Sequence, residues 1–243
     1  MADDFKEKLQ YELNLLSIKL EENQLDKFYK YFQLLIEWNK NINLTAITEM
    51  EEVITKHFAD SLSLIKVVRD IGEKNYRMID VGTGAGFPGI PLKIAFPDLN
   101  ITLMDSLNKR VNFLNEVINS LKLEKIEAIH GRAEDLGRDS NYREKYDFSV
   151  SRAVANLSIL SEYCMPFVKP GGYFIPYKSG KVEEELKEAK HAIFLLGGKT
   201  ERVETFLLPG TDAERSLIKI LKSDAISKKY PRKAGVPGKE PLK

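Results

Sequence analysis

The chain has 243 residues, 43% of them apolar and 30% charged, with 37 basic and 36 acidic side chains for a net charge of +1. That apolar fraction supports a real core and excludes wholesale disorder, and the length suits one large domain or a domain of about 150 residues with an appendage. No run of 18 apolar residues is present to span a bilayer, so a membrane protein built of helices is excluded.

The near-neutral sum conceals an uneven distribution. Residues 1–70 carry 13 acidic and 9 basic side chains, residues 71–221 carry 21 of each, and residues 222–243 carry 7 basic against 2 acidic. The charged start, Met1-Ala-Asp-Asp-Phe-Lys-Glu, lacks the basic-then-apolar pattern of an export signal, so a cytoplasmic location is expected. The lone Cys164 forms no internal disulfide and no Cys/His spacing builds a zinc site, so no metal is expected.

In chain order, Leu9, Leu13 and Leu16, then Leu25, Phe28, Phe32 and Leu35, recur at helical spacing and predict two helices. A third is predicted from about Glu51 to Arg69. Between the second and third lies Trp38-Asn39-Lys40-Asn41-Ile42-Asn43-Leu44-Thr45, whose asparagines favour a turn. After Gly72, short apolar runs alternate with helical stretches. Strands are predicted at Arg77 to Val81, Asn100 to Asp105, Ile126 to His130, Tyr146 to Ser151 and, after a Pro170-Gly171-Gly172 turn, Tyr173 to Tyr177. Helices are predicted at Ile90 to Phe96, Leu107 to Leu121 and Val182 to Leu196, the last stopped by Gly197-Gly198. Lys199 to Leu207 and Ser216 to Leu221 read as an antiparallel pair. This alternation implies an α/β fold with a mostly parallel, doubly wound sheet. The Lys/Pro/Gly-rich end from about Ser227 reads as an extended arm.

Asp80-Val81-Gly82-Thr83-Gly84-Ala85-Gly86-Phe87-Pro88-Gly89 follows the first strand and opens a helix. In open α/β sheets ligands collect beyond the carboxyl ends of strands, where glycine lets the backbone approach closely. The second strand ends in Asp105, 19 residues beyond Gly86, where a carboxylate can accept from both hydroxyls of a ribose. A dinucleotide and S-adenosylmethionine both fit that arrangement. Asp80 would repel a pyrophosphate but favours an ammonium and a sulfonium, and Phe87 stands where the dinucleotide fingerprint has its third glycine; both favour S-adenosylmethionine. Ala133 and Glu134, in His130-Gly131-Arg132-Ala133-Glu134-Asp135 after the third strand, are the candidates to read an adenine edge. Phe87 either lines the same cleft or belongs to the core.

The acceptor chemistry is constrained by what is missing. No Asn/Asp-Pro-Pro-aromatic loop is present to hold an exocyclic amine, and Cys164 lies in the apolar helical run from Leu157 to Met165, where packing is its role rather than attack on a pyrimidine. An endocyclic purine nitrogen such as guanine N7 has a free lone pair and needs positioning, not a base. Arg152, at the end of the fourth strand, is placed to hold guanine, a phosphate or the cofactor's carboxylate. Lys109, Arg110, Arg132, Arg138, Arg143, Lys145 and Lys178 are candidates for a phosphate path with the tail Lys228-Lys229-Tyr230-Pro231-Arg232-Lys233, Tyr230 being available for stacking.

These motifs, together with His57-Phe58-Ala59-Asp60-Ser61, Ser151-Arg152-Ala153-Val154-Ala155 and Tyr230-Pro231-Arg232-Lys233-Ala234-Gly235-Val236-Pro237, resemble in order and combination the bacterial small-subunit ribosomal RNA guanine-N7 methyltransferases, the glucose-inhibited division protein B family. The resemblance runs through nearly the whole chain. It implies a class I S-adenosylmethionine-dependent methyltransferase fold, Rossmann-like, with a seven-stranded sheet ending in an antiparallel hairpin and an N-terminal helical extension. The implied division is 1–72 helical extension, 73–226 methyltransferase domain and 227–243 basic arm. The implied activity is methyl transfer to N7 of one guanosine in 16S ribosomal RNA. Gly82, Phe87, Ala133, Glu134 and Arg152 match the family's cofactor contacts, with Asp105 the ribose acid and Arg152 also the catalytic candidate. His57, Asp60 and Ser61 have the composition of a hydrolytic triad, but the resemblance gives them an RNA-facing or structural role. Ala85 stands where many relatives carry proline. The expected partner is 16S ribosomal RNA or the small subunit, met by a monomer. A nicotinamide oxidoreductase and an RNA-binding assembly factor with a vestigial pocket are the competing readings.

Overall fold

The computed structural model describes residues 1–152, 155–180 and 182–242; the expectations that fall on Ala153, Val154 and Lys243 lie outside the described residues. Three helical segments precede the sheet. Helix α1 (Ala2–Asn14) buries Phe5, Leu9 and Leu13 at steps of four and stops short of the expected Leu16, while α2 (Glu22–Ile42) buries Leu25, Phe28 and Leu35 of the expected stripe, with Tyr31 fully buried where the spacing points to Phe32, which is only partly buried. The helix runs through Trp38–Ile42, where the asparagines had predicted a turn. The turn comes one residue later, at Asn43, whose φ of 50° reverses the chain. Asn39, inside the last helical turn, reaches forward to accept from Leu44 N at 2.6 Å and Thr45 N at 2.9 Å, and donates to Thr45 O at 2.9 Å. Its side chain therefore shapes the turn while its backbone stays helical.

The third segment, α3 (residues 50–66), is one continuous rod but not one regular helix. It passes from α geometry at Met50–Val53 to a π segment at Ile54–Ala59, back to α at Asp60–Leu62, and ends in a 3-10 turn at Ser63–Lys66. Within the wide turn Thr55 gives its hydroxyl to the buried Glu12 at 2.5 Å, and His57 faces the interior. Periodicity over this stretch fits a helix but cannot reveal its pitch.

The remaining chain follows the predicted alternation: β1 (Arg77–Val81), α4 (Gly89–Ala95), β2 (Asn100–Asp105), α5 (Asn108–Ser120), β3 (Ile126–His130), α6 (Ala133–Leu136), β4 (Tyr146–Arg152), α7 (Leu157–Cys164), β5 (Val168–Ser179), α8 (Glu183–Leu195), β6 (Gly198–Leu207), β7 (Glu214–Lys222) and α9 (Val236–Lys239). The strands lie in the order β3-β2-β1-β4-β5-β7-β6. The first five are parallel, and β7 inserts antiparallel between β5 and β6. Successive residues serve opposite faces. Met78, Leu103, Val150 and Ile175 pack under α1 to α5, whereas Ile79, Met104 and Phe174 pack under α7 and α8. The helical front thus shares one apolar cluster with half of the sheet.

Two expectations need correction. Strand β5 begins at Val168, not Tyr173, and takes Pro170-Gly171-Gly172 into itself as a bulge: Tyr146 pairs with Val168 and Phe148 with Tyr173, so residues 169–172 stand opposite Asp147 alone. The tail is not extended. Arg143 donates to the carbonyls of Ile226, Ser227 and Tyr230, Arg138 donates to Pro231 O, and Arg232 grips the buried Glu162 through Nε and Nη2 at 2.7–3.1 Å. These partners fold residues 226–240 across the body. No helix among the described residues is long and apolar enough to cross a membrane.

Candidate functional site

The strand order reverses at β1, since the chain leaves β1 towards β2 and β3 and returns on its other side as β4. Such a switch point opens a crevice at the carboxyl ends of the strands. The glycine loop forms its floor. Gly82 N and Thr83 N both donate to Met104 O, tying the loop to the end of β2, and Gly84 N donates to Asp105 Oδ2 at 2.9 Å. Asp80 is fully buried beneath the loop, where Oδ2 accepts from Thr83 Oγ1 at 2.6 Å and Gly89 N at 2.8 Å. Its Oδ1 is buried with no hydrogen-bond partner among the described residues. Burial pushes the carboxyl up to about 6, against the opposing pull of these two donors. Gly86, at φ 99°, has no room for a side chain: a Cβ there would meet Ile90 Cδ1 at 2.4 Å and the Tyr31 hydroxyl at 2.9 Å. Tyr31 uses that hydroxyl to hold Ala85 O at 2.5 Å, so α2 clamps the loop from above.

Two cavities flank this loop and share Gly82, Asp105 and Ser106. One, of about 400 Å³, is lined by Thr45, His57, Gly84, Phe87, Arg110 and Arg152 among others. The second, of about 320 Å³, is lined by Met104, Gly131 to Glu134, Tyr163 and Gly235. Asp105 stands between them, its Oδ1 accepting from Leu107 N and its Oδ2 lying 3.4 Å from Arg110 Nη1. Of the residues that the sequence singles out, Gly82, Phe87, Asp105 and Arg152 meet in the first cavity, and Gly82, Asp105, Ala133 and Glu134 in the second.

Phe87, His57 and Arg152 meet in the wall of the first cavity. The His57 ring stacks on Phe87 with centroids 4.4 Å apart, and the Arg152 guanidinium lies 4.9 Å from the Phe87 centroid. Arg152 donates to Lys56 O and Asp60 Oδ2 at 3.1 Å, and its Nη2 is 3.2 Å from His57 Nδ1. Asp60 is shared, since Arg215 Nε lies 3.2 Å from its other oxygen. Burial, then the positive charge of Arg152, push the His57 imidazole down to about 3, so it is neutral near pH 7. No hydrolytic triad exists here. Ser61 is fully buried and returns its hydroxyl to His57 O at 2.5 Å, one turn back in the same helix.

The chain matches the family model described as rRNA small subunit methyltransferase G over residues 24–218. It belongs to that family. Among curated members named Ribosomal RNA small subunit methyltransferase G, it is 60% identical to that of Lachnoclostridium phytofermentans over 95% of this chain and 94% of the relative, and 51% identical to that of Clostridium botulinum over 97% and 98%. Solved structures share the fold at low identity. The YcgJ protein of Bacillus subtilis gives a TM-score of 0.53 at 12% identity, covering 70% of this chain and all of the other. TYW2 of M. jannaschii, solved in complex with AdoMet, gives 0.51 at 17%, covering 66% and 74%.

Several sequence expectations for the basic residues do not hold. Arg143 and Arg232 spend their donors on the protein's own carbonyls and on Glu162, and Lys178 is held by Ala155 O and Glu185, whereas Arg138 gives Nε to Pro231 O and stays exposed. Lys222, counted with the basic tail, is fully buried and donates to Met165 O and Val168 O beside Glu144. Tyr230 is 5% exposed and leaves no ring face for a base. Among the described residues of this end, Lys228, Lys229, Lys233 and Lys239 are the exposed basic ones. Nothing in the sequence singles out Thr45, Tyr163 or Gly235 as cavity residues, or Tyr31 as the clamp on the glycine loop. Thr45 was visible as the end of the asparagine segment, but only the fold brings it to the glycine loop. Gly235 arrives because its N–H donates to Glu134 Oε1 at 2.9 Å across 101 residues, a pairing with no local signal.

Proposed function

We propose that this chain transfers a methyl group from S-adenosylmethionine to N7 of a guanosine in 16S ribosomal RNA. The observation that carries the reading is the two-lobed cleft around Gly82 and Asp105 at the sheet's switch point, in a member of a small subunit methyltransferase family. The residues present suit the cofactor. A carboxylate offers about four lone-pair sites; those of Asp105 are only partly used, the Arg110 contact at 3.4 Å being long enough to yield to a ribose hydroxyl. The unpartnered Asp80 Oδ1 is a buried acceptor suited to an ammonium. The backbone of Ala133 and Glu134 lines the lobe where an adenine edge is read, while the Glu134 side chain pins the tail over it.

When bound, the cofactor supplies a methyl already activated by a positive sulfur. Guanine N7 carries no proton, so the chain needs no general base, and the neutral, buried His57 is not positioned to be one. What the chain supplies is placement. Arg152 is the residue we place against the acceptor and the cofactor's carboxylate, its guanidinium fixed by Asp60, Lys56 O and His57 on one side. Phe87 offers an apolar ring in the same lobe. The test is transfer of labelled methyl to small subunits from a strain lacking this enzyme, followed by nucleoside analysis. Label in N7-methylguanosine is expected, at least tenfold less with Arg152→Ala. Label in any other nucleoside, or wild-type turnover by Arg152→Ala, refutes the corresponding part of the reading.

A further inference from the structure

Thr45 is held more tightly than a loop threonine beside a cavity requires. The Asn39 side chain bonds both its backbone N–H and its carbonyl at 2.9 Å, fixing the residue on the wall of the lobe that also contains Gly82, Phe87 and Arg152. Its hydroxyl oxygen accepts from Ile47 N at 3.0 Å and lies 2.8 Å from His57 Nε2. The other ring nitrogen, Nδ1, faces Arg152 Nη2 at 3.2 Å. A guanidinium only donates, so Nδ1 must accept, and a neutral imidazole then carries its proton on Nε2. The Lys56 carbonyl, 3.2 Å from Nδ1, has a lone pair left beside its bond from Arg152 Nη1, but a proton on Nδ1 would also be set against the Arg152 Nη2 donor, and that opposition of donors is what assigns the proton to Nε2.

The consequence for Thr45 follows by counting. A hydroxyl has two lone pairs and one proton. Both lone pairs are taken, by the Ile47 N–H and the His57 Nε2–H. The proton therefore points elsewhere, and among the described residues the hydroxyl makes no third hydrogen bond. Thr45 is a donor that cannot turn round to accept.

We propose that the Thr45 hydroxyl, locked as a donor by His57 and the Ile47 N–H, reads O6 of the acceptor base and so selects guanine. The inference rests on the N7 reading above. Guanine presents N7 and O6 as adjacent acceptors on one edge, whereas adenine replaces O6 with an amino donor. N7 must keep its lone pair free for the methyl, so O6 is the atom on that edge that an enzyme can hold without blocking the reaction. A locked donor bonds O6. Against adenine it meets another donor, and against a purine with nothing at C6 it is left unpaired, which is the costly case. His57 is by this account a positioning residue, and Thr45 the specificity-determining one.

The experiment uses 16S RNA assembled into small subunits with guanosine, inosine or 2-aminopurine riboside at the acceptor position; inosine keeps O6 and 2-aminopurine lacks it. The wild type is expected to methylate guanosine and inosine with similar kcat/KM and to disfavour 2-aminopurine. Thr45→Val should lower kcat/KM on the first two by about tenfold or more while leaving 2-aminopurine unchanged, and Thr45→Ser should restore the preference. S-adenosylhomocysteine affinity, measured by titration, should be the same in all three proteins and so certifies folding. If Thr45→Val slows all three substrates alike, or keeps the wild-type preference, Thr45 does not read O6 and the inference is overturned while the N7 reading stands. If the wild-type protein binds S-adenosylhomocysteine but labels no guanosine, the N7 reading fails and takes this inference with it.

Discussion

Asp80→Asn separates stability from ligand binding at one atom. Asp80 is fully buried, one carboxylate oxygen holds Thr83 and Gly89, and the other has no partner among the described residues. Burial raises its pKa from the ordinary 3.8 to about 6, so the folded protein binds this proton more readily than the unfolded chain. The stability linked to it is present in full below 3.8 and is lost as pH rises through about 6. At pH 5 the wild type keeps roughly 1.4 kcal/mol of that stabilisation relative to pH 8, taking 1.36 kcal/mol per tenfold change in proton affinity. Asparagine is neutral at both pH values, and its Oδ1 can still accept from Thr83 and Gly89. The stability of Asp80→Asn relative to wild type should therefore improve by about 1.4 kcal/mol between pH 5 and pH 8. Urea denaturation at the two pH values measures this directly. At pH 8 the same change should weaken S-adenosylhomocysteine binding about tenfold, because a charge facing an ammonium is lost. A stability difference that is the same at pH 5 and pH 8 would refute the burial argument. Unchanged binding would refute the ammonium contact.

Three further outcomes follow from other buried groups. Arg232→Ala leaves the Glu162 carboxylate, 1% exposed, without its guanidinium; since Arg232 is itself 24% exposed, the expected loss is about 2 kcal/mol, below the range for fully buried pairs, and a loss under about 0.5 kcal/mol in urea denaturation would mean that the tail is not anchored there. Cys164 is fully buried with its thiol pushed far up by desolvation, so it should resist a disulfide reagent until denaturant is added, and Cys164→Ala should keep methyl transfer; lost turnover in a folded variant would point to thiolate chemistry. His57, driven down to about 3, should give no inflexion in the rate of guanosine methylation between pH 5.5 and 8, and it subtracts stability as pH falls below about 6.5, the reverse of Asp80; an inflexion near 6.5 that disappears in His57→Gln would show a titrating imidazole instead.

Strands β1, β2 and β3 begin and end where the residue pattern alone puts them, and the glycine loop follows β1 as the sequence implies. These features were legible because a strand's apolar run and a glycine's positive φ are properties of a few neighbouring residues. Where a local rule met a tertiary one, the tertiary one won. Asn39 and Asn41 stay helical because α2 is packed along its length, the Asn39 side chain meanwhile serving the turn beyond it. Strand β5 starts early because Tyr146 supplies an edge for Val168 to pair with.

The basic residues give the sharpest contrast. Composition shows that the chain ends in positive charge, but it could not say that Arg143, Arg232 and Lys222 are consumed within the protein while, among the described residues, Lys228, Lys229, Lys233 and Lys239 stay exposed. A charge seeks whichever opposite group or carbonyl burial brings within 3 Å, and that partner is often 70 or more residues away. The same holds for the cleft. Glycine loop and strand-end acid announce themselves in the sequence, whereas Thr45, His57 and Arg152 become one hydrogen-bonded chain only when α3 packs beside the end of β4, because hydrogen bonds are decided by distance in space and the residue pattern encodes distance along the chain.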